Sequence, residues 1–186
     1  MEKKGCGGLC DDHSGKGLVH IYCGDGKGKT TCSVGLMMRA AGSGKKILYH
    51  QFLKGNQSSE RKIIESRPEI TVIPGKEMEK FTFQMDPEEL GALKKENDAM
   101  LDRLFSMAKD FDMLVMDESV YAIDGDLLDE KKMIKYLEEK PYSLEVVLTG
   151  RNPSQALMEH ADYISEIQKV KHPFDQGVSS RMGIEK

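Results

Sequence analysis

The chemistry of this chain is concentrated in Cys23-Gly24-Asp25-Gly26-Lys27-Gly28-Lys29-Thr30-Thr31. Glycines let the backbone curl so that successive N–H groups face one anion. Lys27 and Lys29 add charge, and the Lys29 ammonium can reach phosphate oxygens while the Thr30 hydroxyl holds a divalent metal. The stretch lies between the apolar run Leu18-Val19-His20-Ile21-Tyr22 and a helical pattern that ends near Gly42. That strand–turn–helix context is the one a phosphate-binding P-loop requires, and the helix N-terminus contributes partial positive charge. The count departs from the usual loop. A glycine is expected five positions before Gly28, and Cys23 stands there, so the loop counted from Gly24 is one residue short. The competing reading is a glycine-rich turn without a ligand, which leaves two lysines and two threonines unexplained.

A second cluster, Leu114-Val115-Met116-Asp117-Glu118, reads as an apolar strand delivering two carboxylates to Mg²⁺, directly or through water. An acidic turn after a strand is the plain alternative. Arg39 and Arg151 are candidates for the distal phosphates, because a guanidinium forks onto phosphate oxygens. Arg151 follows a strand end. Arg39 lies late in the first helix and is equally readable as a surface salt-bridge residue. There is no Asn-Lys-x-Asp guanine motif, the five histidines are scattered, and no nucleophile–base set is apparent. The substrates therefore bring the reactivity.

These residues need a scaffold. The expected strands are 18–22, 46–52, 70–73, 112–117, 144–149 and 162–170, and the expected helices are 29–42, 87–108, 127–139 and 153–160, with a polar mobile loop over 54–62. Strands alternating with helices predict an α/β fold: three layers, P-loop NTPase-like (RecA-like), around a mostly parallel sheet. Ligands of such sheets bind beyond the carboxyl ends of the strands, where the loop, Gln51, Asp117-Glu118 and Thr149-Gly150-Arg151 all fall. The 186 residues divide into a glycine-rich leader, 1–17, and one domain, 18–186. Cys6, Cys10, His13 and His20 offer a partial zinc-ligand spacing, against which the leader reading is preferred. Net charge −4 without a basic stripe argues against a general nucleic-acid binder. No stretch approaches transmembrane length, so a cytoplasmic protein with no membrane partner is expected.

Beyond the loop and the Asp117-Glu118 pair, the chain resembles the P-loop corrinoid adenosyltransferases. The segments that carry the resemblance are Gly24 to Thr31, Gln51-Phe52-Leu53-Lys54-Gly55, Asp117-Glu118 with Tyr121, Thr149-Gly150-Arg151-Asn152, Ala161-Asp162, and Val170-Lys171-His172-Pro173-Phe174-Asp175-Gln176-Gly177. It runs from about Gly17 to the C-terminus, and the terminal segment is far more specific than a P-loop.

The resemblance implies an unusual use of ATP. In that family the reduced Co(I) corrinoid attacks C5′ of the ribose, and triphosphate leaves as one unit from a shortened loop that binds the phosphates in reversed order. Lys29 and Glu118 take the catalytic roles, with Thr30, Glu118 and Asp117 at Mg²⁺ and the loop residues Gly24 to Thr31, Arg39 and Arg151 on ATP. Phe81-Thr82-Phe83 matches the aromatics that displace the lower axial ligand of the corrinoid, with Phe83 where a Trp is familiar, and His172 joins them as a corrinoid contact. On its own the Phe-x-Phe pair reads as two core residues of a strand. A reduced flavoprotein electron donor and a homodimer are implied as well. The leader is shorter than the family's helical arm, and Val120 replaces a common Asn. The alternatives are a P-loop phosphotransferase or ATPase in which Glu118 activates water or a hydroxyl, and a non-catalytic corrinoid or nucleotide carrier.

Overall fold

Val19, Ile21 and Cys23 are buried while His20 and Tyr22 between them are half-buried, the alternation of a strand with one fully covered face. This is β1 (Val19–Cys23) in a computed structural model that describes residues 15–55, 58–78 and 80–185. It is followed by α1 (Lys29–Gly42), β2 (Ile47–Gln51), α2 (Arg61–Ile64), β3 (Ile70–Ile73) and α3 (Pro87–Ala108). Then come β4 (Met113–Asp117), α4 (Ser119–Asp124), α5 (Glu130–Glu139), β5 (Glu145–Thr149), α6 (Gln155–Glu159) and β6 (Tyr163–Glu166).

The strands form one sheet in the order β3-β2-β4-β5-β1-β6, and every pairing is parallel. Parallel neighbours require crossovers, and these put helices on both faces. The side chains of β4 show the result. Leu114 and Met116 pack with Leu93, Leu101 and Leu104 of α3, whereas Met113 and Val115 pack with Met37 and Ala40 of α1. The expected three-layer α/β architecture is therefore present. The strand that feeds the loop, β1, is separated from the carboxylate strand, β4, by β5, which is the RecA-like arrangement.

Local signals explain the boundaries. α3 begins at Pro87 because the Asp86 side chain accepts from the Glu88 and Glu89 amides while Glu89 returns a bond to the Asp86 amide. Leu127 and Leu128 were expected inside a helix but lie in the preceding loop, buried, because Asp129 caps α5 through the Lys132 amide. The 54–62 loop is partly helical at its end, where α2 buries Ile64. The last strand stops at Glu166 rather than 170. From the described leader residues, Gly17 is fixed to the base of β5 through the Tyr142 carbonyl, and Cys6, Cys10 and His13 lie outside the described residues. His20 bonds Glu145 at 2.5 Å and stacks on Tyr163, as a strand residue. No group of three or more potential metal-binding His, Cys, Asp or Glu side chains occurs among the described residues.

One buried titratable group makes a prediction about stability. His50 on β2 is almost fully buried, bonds the Ile73 carbonyl at 3.0 Å and meets Phe52 edge to face. Burial, opposed in part by that bond, pulls its pKa down to about 4. Below the unfolded value of ~6.5 the unfolded chain binds a proton that the folded chain refuses. This contribution is complete above pH ~6.5 and is lost as pH falls towards ~4, a change of roughly 2–3 kcal/mol. Urea unfolding at pH 7 and pH 4.5 should show a smaller acid loss for His50→Gln than for the wild type; equal losses would contradict the assignment.

Candidate active site

The loop leaves β1 at Cys23 and enters α1 at Lys29, so the sequence-predicted residues Gly24 to Thr31 form one continuous turn at the carboxyl edge of the sheet. Gly28 occupies the N-cap with φ 128°, a conformation other residues rarely adopt, and supplies no side chain to the first-turn amides. Those amides are the natural partners of an anion. Gly24, with φ 102°, faces the Ile167 carbonyl so closely that a Cβ would stand 2.4 Å from it. The Gly26 amide donates to the same carbonyl at 2.7 Å, and the Lys169 amide donates to Asp25 Oδ1 at 2.8 Å. The chain beyond β6 therefore braces the short loop, a role that sequence reasoning did not reach.

Lys29 folds over the loop with its ammonium 2.8 Å from the Gly26 carbonyl. Burial lowers its pKa; Glu118 opposes the shift, and Arg151 and Lys54 reinforce it. An ammonium held beside two other cations is a strong receptor for a polyanion.

The two carboxylates differ sharply. Asp117 is fully buried, and its Oδ2 accepts from Thr30 Oγ1 at 3.1 Å and Gln51 Nε2 at 2.7 Å, while Oδ1 accepts from Thr149 Oγ1 at 2.5 Å. Thr149 in turn accepts from the Glu118 amide at 2.9 Å. Asp117 thereby ties together the ends of α1, β2, β4 and β5. Glu118 adopts a left-handed φ of 59°, which turns the chain sharply from β4 into α4 and brings its carboxylate to the site. Lys54 lies 3.1 Å from Glu118 Oε1 and 3.4 Å from Asp117 Oδ2. Burial works against the Lys54 ammonium, and the two carboxylates more than offset it, so its pKa is raised. Lys54 lies in the Gln51–Gly55 segment but carries no strand or helix periodicity that would have singled it out.

Two adjoining cavities meet at Thr30 and Thr31. The smaller, about 440 Å³, is lined by the loop, Glu118, Arg151 and the C-terminal stretch with His172 and Arg181. The larger, about 1010 Å³, is lined by Lys54, Met78, Phe81 and Met182 among others. The C-terminal stretch is held across the loop by Glu185, which pairs with Lys27 at 3.3 Å and with the Arg181 guanidinium at 2.9 and 3.1 Å.

Three expectations change. Arg39 is exposed in the last turn of α1 and lines neither cavity; ten residues of helical rise put it ~15 Å beyond Lys29. His172 lines the loop cavity rather than the one with Phe81, and its Nδ1 accepts from the Phe174 amide. Phe81 and Phe83 are not strand core residues. They are 69% and 81% exposed in a 3₁₀ turn and stack on each other, with ring centroids 5.4 Å apart. Val120, by contrast, is a core residue with no exposure, set against Gly150.

The site thus combines a glycine-rich loop, hard oxygen donors and a wide cavity beside it whose walls mix polar groups with Met78, Phe81, Met182 and Ile184. Residues 15–185 match the profile described as ATP:corrinoid adenosyltransferase BtuR/CobO/CobP. A corrinoid adenosyltransferase of Escherichia coli K12 is 32% identical over 179 residues, covering 91% of this chain and 86% of that protein. The corrinoid adenosyltransferase CobA of Salmonella typhimurium LT2 is 34% identical over 174 residues, with the same coverage of 91% and 86%. Among solved structures, the KaiC-like protein PH0186 of Pyrococcus horikoshii superposes with a TM-score of 0.55 at 15% identity, over 83% of this chain and 73% of that one, a likeness of fold. The match spans nearly every described residue, including the short loop, the Asp117-Glu118 strand end and the C-terminal segment that closes over them, and the chain belongs to the ATP:corrinoid adenosyltransferase family.

Proposed function

We propose that this protein transfers the 5′-deoxyadenosyl group of ATP to the cobalt of a reduced Co(I) corrinoid, releasing triphosphate. The observation that carries the reading is family membership over residues 15–185 together with a loop one residue shorter than the ordinary pattern. The Co(I) nucleophile forms the Co–C5′ bond as the C5′–O bond to the triphosphate breaks, and both electrons of that bond leave with the triphosphate. No protein nucleophile or base is needed. The protein's work is to hold C5′ in line with cobalt and to receive the developing charge on the leaving oxygen.

Lys29, Arg151 and the first-turn amides of α1 surround the cavity suited to the polyphosphate. Thr30 Oγ1 and Glu118 are the residues that would hold Mg²⁺. They fit it: both are hard oxygen donors, and a cation, the Lys54 ammonium, rests against them. When bound, the metal neutralises charge on the triphosphate. Asp117 positions the set through its bonds to Thr30 and Thr149.

The wider cavity suits the corrinoid. Phe81 lines it, Phe83 stacks on Phe81, and an exposed aromatic pair beside a cavity is available to a flat macrocycle rather than to the core. Phe83→Ala should leave unfolding stability within about 0.5 kcal/mol, as exposed positions do. It should slow adenosylation of Co(II)alamin in a reductase-coupled assay more than adenosylation of chemically supplied Co(I), because lower-ligand displacement limits only the first. Equal losses in both assays would remove the pair from the corrinoid site.

A reduced flavoprotein donor, a homodimer and a cytoplasmic setting belong to the same reading. Among the described residues no helix is long and apolar enough to cross a membrane. The reaction is tested by incubating the protein with ATP, Mg²⁺ and chemically reduced cobalamin. A light-sensitive cobalt–carbon absorbance is expected, and its absence with folded protein contradicts the reading.

A further inference from the structure

The oxygens that would hold the metal already have a cation among them. The Lys54 ammonium lies 3.2 Å from Thr30 Oγ1, 3.4 Å from Asp117 Oδ2 and 3.1 Å from Glu118 Oε1. An ammonium has three donors and no acceptor, so it can address three oxygens at once. Adjacent carboxylates repel, and a cation between them offsets that repulsion.

The chain is built to aim this side chain. The Phe52 amide donates to the Asp117 carbonyl at 2.9 Å, which ties the end of β2 to β4, and the Phe52 ring is buried. Leu53 then takes a φ of 54°, a left-handed turn unusual for leucine. Lys54 follows directly, and its stem returns over the loop. Its side chain remains 39% exposed, at the wall of the wide cavity, so it has room to move.

We propose that Lys54 is the resident counter-cation of the metal site: in the nucleotide-free protein its ammonium stands where Mg²⁺ would, among Thr30, Asp117 and Glu118, and it gives way when the metal arrives on the nucleotide. The proposal rests on the reading of Thr30 and Glu118 as metal donors. It makes Lys54 a positioning residue with two effects. The metal-binding oxygens stay gathered without a metal, and a bare divalent cation is refused because it must displace an ammonium that gains nothing by leaving. A metal–nucleotide brings phosphate oxygens, so the ammonium exchanges two carboxylates for a new anionic partner.

Mn²⁺ takes the same oxygen donors as Mg²⁺, and its free fraction is read by electron paramagnetic resonance without turnover. Nucleotide-free wild type, Lys54→Met and Lys54→Arg are titrated with Mn²⁺ alone. Lys54→Met should bind Mn²⁺ roughly tenfold to hundredfold more tightly than the wild type, as expected for removal of a competing charge at this distance. Lys54→Arg should stay with the wild type, and adding Glu118→Gln to Lys54→Met should cancel the gain. A merely structural lysine would weaken binding when removed. Unchanged or weaker Mn²⁺ binding by folded Lys54→Met overturns the proposal, as does a gain that survives Glu118→Gln. Lys54→Gln carries the same test should the methionine variant not fold. Adenosyl transfer plays no part in the readout, so failure of the exchange leaves the proposed reaction standing, and failure of the reaction leaves the exchange testable.

Discussion

Lys29→Ala should lower kcat/KM for ATP about 10²–10³-fold, the usual consequence of removing one preorganised donor from a charge that develops in the transition state. The leaving group here is a whole triphosphate, and the Lys29 ammonium is poised over the loop that would receive it. Among the described residues its ammonium bonds the Gly26 carbonyl at 2.8 Å and forms no ion pair with a carboxylate. The loss should therefore appear in catalysis and not in folding. Chemically reduced Co(I) is the proper substrate for this measurement, because it keeps the reductase out of the rate. Turnover within threefold of the wild type by folded Lys29→Ala would show that the triphosphate does not lie on this loop.

Glu118→Gln should raise the Mg²⁺ concentration needed for half-maximal activity by at least the ~10–100-fold that even outer partners of a metal contribute. The substitution keeps shape and removes charge. It is preferable to substitution of Asp117, whose carboxylate accepts from Thr30, Gln51 and Thr149 in a fully buried position. Asp117→Asn would leave buried donors without an acceptor and confuse loss of metal with loss of structure. Among the described residues, the ion pair of Glu118 is with Lys54, at 3.1 Å. Activity titrated with Mg²⁺ at saturating ATP gives the answer. A wild-type metal dependence in Glu118→Gln would remove this carboxylate from the metal site.

The features legible in the sequence are those written in local patterns. Gly24 to Thr31 between an apolar run and a helix could be nothing but a turn at a strand end, and Asp86-Pro87-Glu88-Glu89 announces a helix start. The apolar run before Asp117 could only be a buried strand. Phe81 and Phe83 were ambiguous because an i, i+2 aromatic pair fits a half-buried strand as well as an exposed turn; the 3₁₀ turn at Thr82–Gln84 decides it. α4 was invisible because Glu118 enters it through a left-handed conformation that no propensity favours. The brace from Lys169 onto Asp25 of the loop joins residues 144 positions apart, and the Glu185 pair with Lys27 joins residues 158 apart. Such contacts are made by topology, through the strand order that sets β6 beside β1, and no spacing in the chain announces them. Arg39 shows the converse: its residue type suits phosphate, while helical rise sets it in the last turn of α1, away from the loop.

The leaving group is the most direct test of the account. Protein, ATP, Mg²⁺ and excess chemically reduced cob(I)alamin are incubated in the dark, and the phosphorus products are followed by ³¹P NMR alongside the adenosylcobalamin absorbance. The account predicts inorganic triphosphate in equal amount to adenosylcobalamin, with neither product formed when corrinoid is omitted. ADP or orthophosphate accumulating without a new cobalt–carbon bond would contradict it and would make this loop that of an ordinary phosphotransferase or ATPase.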